Sequence, residues 1–111
     1  MAYDEELADR LREALQEVDG LTEKRMFGGL AFLVHGNMAV AASSKGGLML
    51  RVDPAESDAL LREPHTSPMV MRGRAADGWL RVDAEALDDD GGLDRWVARG
   101  VARARSLPPK P

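Results

Sequence analysis

The sequence predicts a two-layer α+β domain, an antiparallel sheet covered on one face by helices. The run Lys24 to Val40 is apolar and punctuated by Gly28-Gly29 and Gly36-Asn37. It is too short and too interrupted for a long helix, so it reads as the nucleus of the sheet. Both ends of the chain instead space their apolar residues as helices do: Leu7, Leu11, Ala14, Leu15 and Val18 near the start, and Leu93, Trp96, Val97, Gly100, Val101 and Ala104 near the end. At 111 residues the chain, 1–111, is expected to be one domain with a core that needs no cross-links.

Taken in order, residues 4–18 form an amphipathic helix with Asp4 able to cap its start and Gly20 as the stop signal. Thr22 to Phe27 is extended, and Gly28-Gly29 breaks or bulges that strand. Leu30 to Val34 and Met38 to Ala42 fold back on each other through a turn at Gly36-Asn37. After the polar turn at 43–47, Leu48 to Val52 alternates Leu48, Leu50 and Val52 against Met49 and Arg51 as the next antiparallel strand. Asp53-Pro54 starts a short helix over residues 56–62 that Pro64 ends, and residues 63–68 are a loop. Met69 to Met71 and Trp79 to Val82 are two further strands joined through Gly73 to Gly78. A solvated linker at Asp88 to Gly92, able to supply a cap, precedes the final helix, which begins near Leu93 and stops at Leu107-Pro108-Pro109. The order is therefore helix, three or four strands, short helix, two strands, long helix.

Composition excludes several classes of function. With no cysteine there is no disulfide, thiolate nucleophile or cysteine-held zinc, and the amino terminus is acidic where a secretory signal would be basic and then apolar. A cytoplasmic protein without a membrane segment is the expectation. The net charge of -4 opposes bulk affinity for nucleic acid, although Arg95, Arg99 and Arg103 make an i, i+4, i+8 stripe on the last helix that could meet phosphate, an acidic partner or the acids of the first helix. His35 and His65 lie thirty positions apart without ligand spacing, the aspartates 88–90 lack a calcium-loop pattern, and Gly28-Gly29 has neither the Lys-Ser/Thr nor the helix start of a phosphate loop. No serine sits in a nucleophile elbow. Nothing spells out a reaction, and neither cofactor nor metal is expected. Met26, Met38, Met49, Met69 and Met71 all fall in strands, where they fill the core or present an adaptable apolar face to a partner.

The motifs Tyr3-Asp4-Glu5, Lys24-Arg25-Met26-Phe27-Gly28-Gly29 followed by Phe32, Gly36-Asn37-Met38, Leu50-Arg51-Val52, Gly78-Trp79 with Val82, Arg95-Trp96-Val97 and Leu107-Pro108-Pro109-Lys110 resemble the N-terminal domain of the TfoX/Sxy competence regulators, in order and over nearly the whole chain. The resemblance implies a fold similar to the type III secretion chaperones and a tendency to pair as dimers. It carries no catalytic residues. Full-length regulators of this kind continue into a helical domain, whereas this chain ends after Lys110-Pro111, so a stand-alone domain is expected. The expected function is a non-enzymatic regulatory or protein-interaction domain, linked through the resemblance to transcriptional regulation of competence. Its partner is a second copy or an unknown protein bound through the Lys24 to Gly29 motif, Trp79 or the arginine stripe. A small ligand-binding domain or enzyme would use the Met26 to Gly29 turn with Arg25, Arg51 or Arg72. The remaining alternative is direct DNA contact through the stripe.

Overall fold

A computed structural model describes residues 3–26, 28–71 and 73–109, the side chains of residues 71 and 75–77 excepted. Six strands form one antiparallel sheet in the order β1-β2-β3-β4-β6-β5, with β1 (Leu21–Met26), β2 (Gly29–Val34), β3 (Asn37–Ala42), β4 (Leu48–Arg51), β5 (Thr66–Met71) and β6 (Arg74–Val82). The helices are α1 (Glu5–Ala14), the four-residue α2 (Ser57–Leu60) and α3 (Asp90–Ser106), with 3-10 turns at Pro54–Glu56 and Ala84–Leu87. No helix among the described residues is long and apolar enough to cross a membrane.

The helical layer follows from the two apolar stripes. Asp4 Oδ1 accepts from the backbone N–H of Glu6 and Leu7 at 3.0 and 3.2 Å, as the predicted cap requires, and α1 then buries Leu7, Ala8 and Leu11. On α3, Leu93, Trp96, Val97, Gly100, Val101 and Ala104 are all buried. Both helices lie on the sheet face formed by Leu30, Phe32, Val34, Val40, Leu48, Leu50, Leu80 and Val82. Gly100 is where α3 comes closest, since a Cβ there would meet the Ala39 carbonyl oxygen and Val40 Cγ1.

Several boundaries differ from the sequence expectations. Helix α1 ends at Ala14 rather than Val18, because the chain must reach β1 at Leu21 through Gly20, whose φ of +75° leaves room for the His35 ring. Of the two expectations for Gly28-Gly29 the break holds and the bulge does not: Met26 pairs with Gly29, so β1 and β2 are a tight hairpin closed at Gly28, φ +78°. The next turn is His35-Gly36, not Gly36-Asn37; both residues have positive φ, and Val34 pairs with Asn37. The bulge lies in β3, where Ala39 is the extra residue between the pairs Phe32–Val40 and Leu33–Met38. Strand β5 begins at Thr66 inside the expected loop, and β6 extends back to Arg74, so the β5–β6 turn is at Gly73 and not along Gly73 to Gly78. Helix α3 takes in Asp90 to Gly92 of the expected linker, while Asp89 within that stretch is the expected cap, accepting from Gly92 N–H at 2.7 Å.

Candidate functional site

In an antiparallel pair, residues directly opposite share a face. Leu30, Phe32 and Val34 lie under the helices, so Gly29, Ala31 and Leu33 lie on the other side, with their β1 partners Met26, Lys24 and Thr22. The same rule puts Met49 and Arg81, which pair across β4 and β6, on that side, with Ser67 of β5 beside Arg81. No helix covers this face among the described residues. It is nevertheless not flat. A single groove of about 970 Å³ touches Met26 on β1, Met38, Met49, and Pro68 to Val70 on β5, that is, both outer strands of a six-stranded sheet. Strands about 4.8 Å apart would hold those edges far from each other in a flat sheet, so the sheet curls, and the bare face is its concave side.

The groove floor is apolar and small at its centre. Ala31 is 1% exposed and Ala41 4% although no helix among the described residues lies above them, and the half-buried methionines at 26, 38, 49 and 69 line the same groove. Val70 on edge strand β5 is 61% exposed. The polar margin is the β3–β4 turn. Ser43 is buried and its hydroxyl accepts from Lys45 N–H at 3.1 Å, while Arg81 Nη2 reaches the Gly46 carbonyl at 3.5 Å. The only charged side chains among the described lining residues are Lys45 and Arg81, both cations, and neither has an acidic partner among the described residues.

The residues singled out from sequence divide unevenly around this groove. The Lys24 to Gly29 motif is split by strand alternation: Lys24 and Met26 are on the groove side with Gly29 at its edge, whereas Arg25 pairs with Leu30 and belongs to the helix side. Gly28 closes the hairpin with its Cβ position 3.1 Å from Ser44 Cβ. Phe27 and Arg72 lie outside the described residues. Trp79 pairs with Arg51, whose guanidinium sits 5.2 Å from the indole centroid; neither lines the groove. Burial holds the Arg51 guanidinium below its ordinary pKa, and the charge of Arg103 acts in the same direction. Arg25, Arg51 and the Met26 to Gly29 turn are therefore not brought together around a polar pocket. The groove lining contains no histidine or carboxylate among the described residues, and no three His, Cys, Asp or Glu side chains among them could hold a metal ion.

The arginine stripe is partly spent inside the molecule. Arg99 stacks on Trp96 at 4.6 Å and its Nη1 lies 3.2 Å from Glu63 Oε2, an ion pair out of line for a hydrogen bond, so the acid it meets follows α2 instead of lying on α1. Arg103 buries its Nε. Arg95 is exposed. His65, φ +65°, places Nδ1 3.1 Å from Glu85 Oε2, while His35 occupies the hairpin turn far along the chain; they share no site.

Sequence reasoning missed Lys45, Arg81, Ala31, Ala41 and Pro68. The alternation of Met49 with Leu48 and Leu50 was a signal for one of the faces, but only the β4–β6 pairing puts Arg81 beside it.

Searches of curated proteins and of solved structures return no match. The protein-family comparison does: residues 13–104 match the TfoX N-terminal domain, and the chain belongs to that family.

Proposed function

We propose that this TfoX-type domain is a non-catalytic protein-interaction module of the regulatory kind, and that it binds through the concave face of its sheet. The observation that carries the reading is the groove itself: four half-buried methionines and two buried alanines on a sheet face that no helix among the described residues covers. Methionine is unbranched and polarizable, so a surface built of it adapts to an incoming side-chain pattern, and an apolar patch rimmed by polar residues is how interaction sites look on otherwise polar proteins. Turnover chemistry on Ser43 or Ser44 would need a histidine or carboxylate to take up the hydroxyl proton, and the described lining holds neither.

Met49→Glu, in the middle strand of the groove, is the test. The folded wild-type domain, immobilised and exposed to extract of the native cell, is expected to retain a protein that the variant does not; equal retention by both would refute the reading. A second copy of the chain is the occupant that the sequence resemblance suggested. Two grooves closing on each other across a twofold axis would bring Lys45 and Arg81 of both copies together, which disfavours that arrangement. Light scattering at micromolar concentration separates the cases, a mass near 12.1 kDa meaning a monomer.

A further inference from the structure

Resting on that interaction reading, we propose that the groove receives an acidic amphipathic helix of a partner protein. Its charge is the first argument. The chain is -4 overall, yet both charged residues of the described lining are cations without acidic partners among the described residues, and Lys24, paired with Ala31, adds a third cation to the same face. Charge on a rim selects partners more than it tightens them, and this rim selects against cations. Shape is the second. A helix with side chains is about 10 Å across and rises 1.5 Å per residue, so a groove of about 970 Å³ takes roughly 12 Å of fully embedded helix, or about 24 Å of a half-embedded one, some 16 residues. Such a helix would do for this face what α3 does for the other. An added strand is the poorer occupant, because it would extend an edge of the sheet instead of filling the floor, and the β5 edge carries Pro68, which has no backbone N–H to donate, and is irregular between Pro68 and Val70. The small floor at Ala31 and Ala41 flanked by Met38 and Met49 accepts large apolar side chains at i, i+3, i+4 and i+7.

Three fluorescein-labelled synthetic peptides of about 16 residues decide it by anisotropy: one with leucines at those spacings and glutamates on the polar face, one with the glutamates replaced by lysines, and one that scrambles the order of the first. The domain carries ¹³C-methyl methionine, so that NMR reports where the peptide sits. The acidic peptide is expected to bind at least about tenfold more tightly than the lysine peptide, an advantage that shrinks as salt rises. Its shifts should fall on the methyls of Met26, Met38, Met49 and Met69. The double variant Lys45→Glu with Arg81→Glu should reverse the preference, and Lys45→Glu alone, on an exposed turn, serves should the double variant fail to fold. A preference for the lysine peptide, seated in the groove, overturns the acidic-helix inference and leaves the interaction module standing. Equal binding of the scrambled peptide overturns the helix. A dimer whose dissociation on dilution moves those four methyls replaces the helix with a second copy. No binding by any peptide and a monomeric mass overturn both this inference and the reading beneath it.

Discussion

Gly100→Ala tests whether α3 is seated on the sheet as closely as described. In an exposed helix interior this substitution stabilises by about 0.8–1 kcal/mol, because alanine loses less backbone entropy than glycine. Here the added Cβ would stand 2.5 Å from the Ala39 carbonyl oxygen and 2.8 Å from Val40 Cγ1. The first of these is backbone in the bulged segment of β3 and cannot rotate away, so the helix must lift or the strand must shift. Overpacking of this kind costs about 1–3 kcal/mol, and contact with fixed backbone puts it toward the upper end, so the net after the propensity gain is a loss of about 1–2 kcal/mol. For a domain of this size that lowers the melting temperature by roughly 4–8 °C, read by circular dichroism and checked by the urea midpoint. Gly91→Ala is the control: it lies in the first turn of the same helix with nothing within 4 Å of its Cβ position, and its melting temperature should stay level or rise. A Gly100→Ala protein that melts at or above the wild type would mean that propensity wins and that α3 does not rest on Ala39.

Gly28→Val should destabilise by about 1–3 kcal/mol, since a β-branched residue is placed at φ +78° against Ser44; an unchanged melting temperature would remove Gly28 from the left-handed turn. Glu23 is held below its ordinary pKa chiefly by hydrogen bonds from Arg12, at 2.9 Å from Nε and 3.0 Å from Nη2. A depressed folded-state pKa gives stability that is present above the unfolded value and lost as pH falls through the folded one, so wild type should exceed Glu23→Gln at pH 7 and converge with it on acidification; a gap that ignores pH would exclude the linkage. Duplex DNA should not bind below micromolar concentration at physiological salt, because Arg99 is committed to Trp96 and Glu63 and Arg103 buries its Nε, leaving Arg95 as the exposed member of the stripe. Sub-micromolar, steeply salt-dependent binding in an anisotropy titration would contradict that.

What could be read from sequence here is what is periodic over a local window. The stripes of α1 and α3 and the alternation of β4 declare their buried faces because each helix or strand meets the core along its whole length. Turn positions were legible only to within a residue. Asn37 looks like a turn residue, but it opens β3, is buried, and its Nδ2 donates to the Pro108 carbonyl at 2.9 Å, a partner 71 positions away that no local pattern reveals. The turn fell instead to His35, which adopts φ +51° beside Gly36. The amino-terminal half of β6, Arg74 to Gly78, carries no strand pattern of its own and is extended because β5 pairs with it and because Gly78 bonds both Val52 and the buried Ser57 hydroxyl. The methionines were legible as a choice between core and interface, but the groove was not. Its concavity comes from the curl of six strands, and its charge from residues on β6 and the β3–β4 turn that become neighbours only once the sheet order is known.

The composition of the bare face bears on why it should be covered at all. A sheet face built to stay wet alternates polar residues along each strand, and β1 does so with Thr22 and Lys24, both exposed. Moving inward the pattern changes to Gly29, Ala31 and Leu33 on β2, then Met38 and Ala41 on β3, then Met49 on β4. Apolar strand positions on a face without a helical layer invite association and are ordinarily interrupted by charge. Here the charges stand at the margin, on Lys24, Lys45 and Arg81, and leave the floor unoccupied. Interior polar residues would keep the face wet and would also close it to a partner. Cations at the rim around a methionine floor leave it open to an apolar partner, and they favour one that brings negative charge.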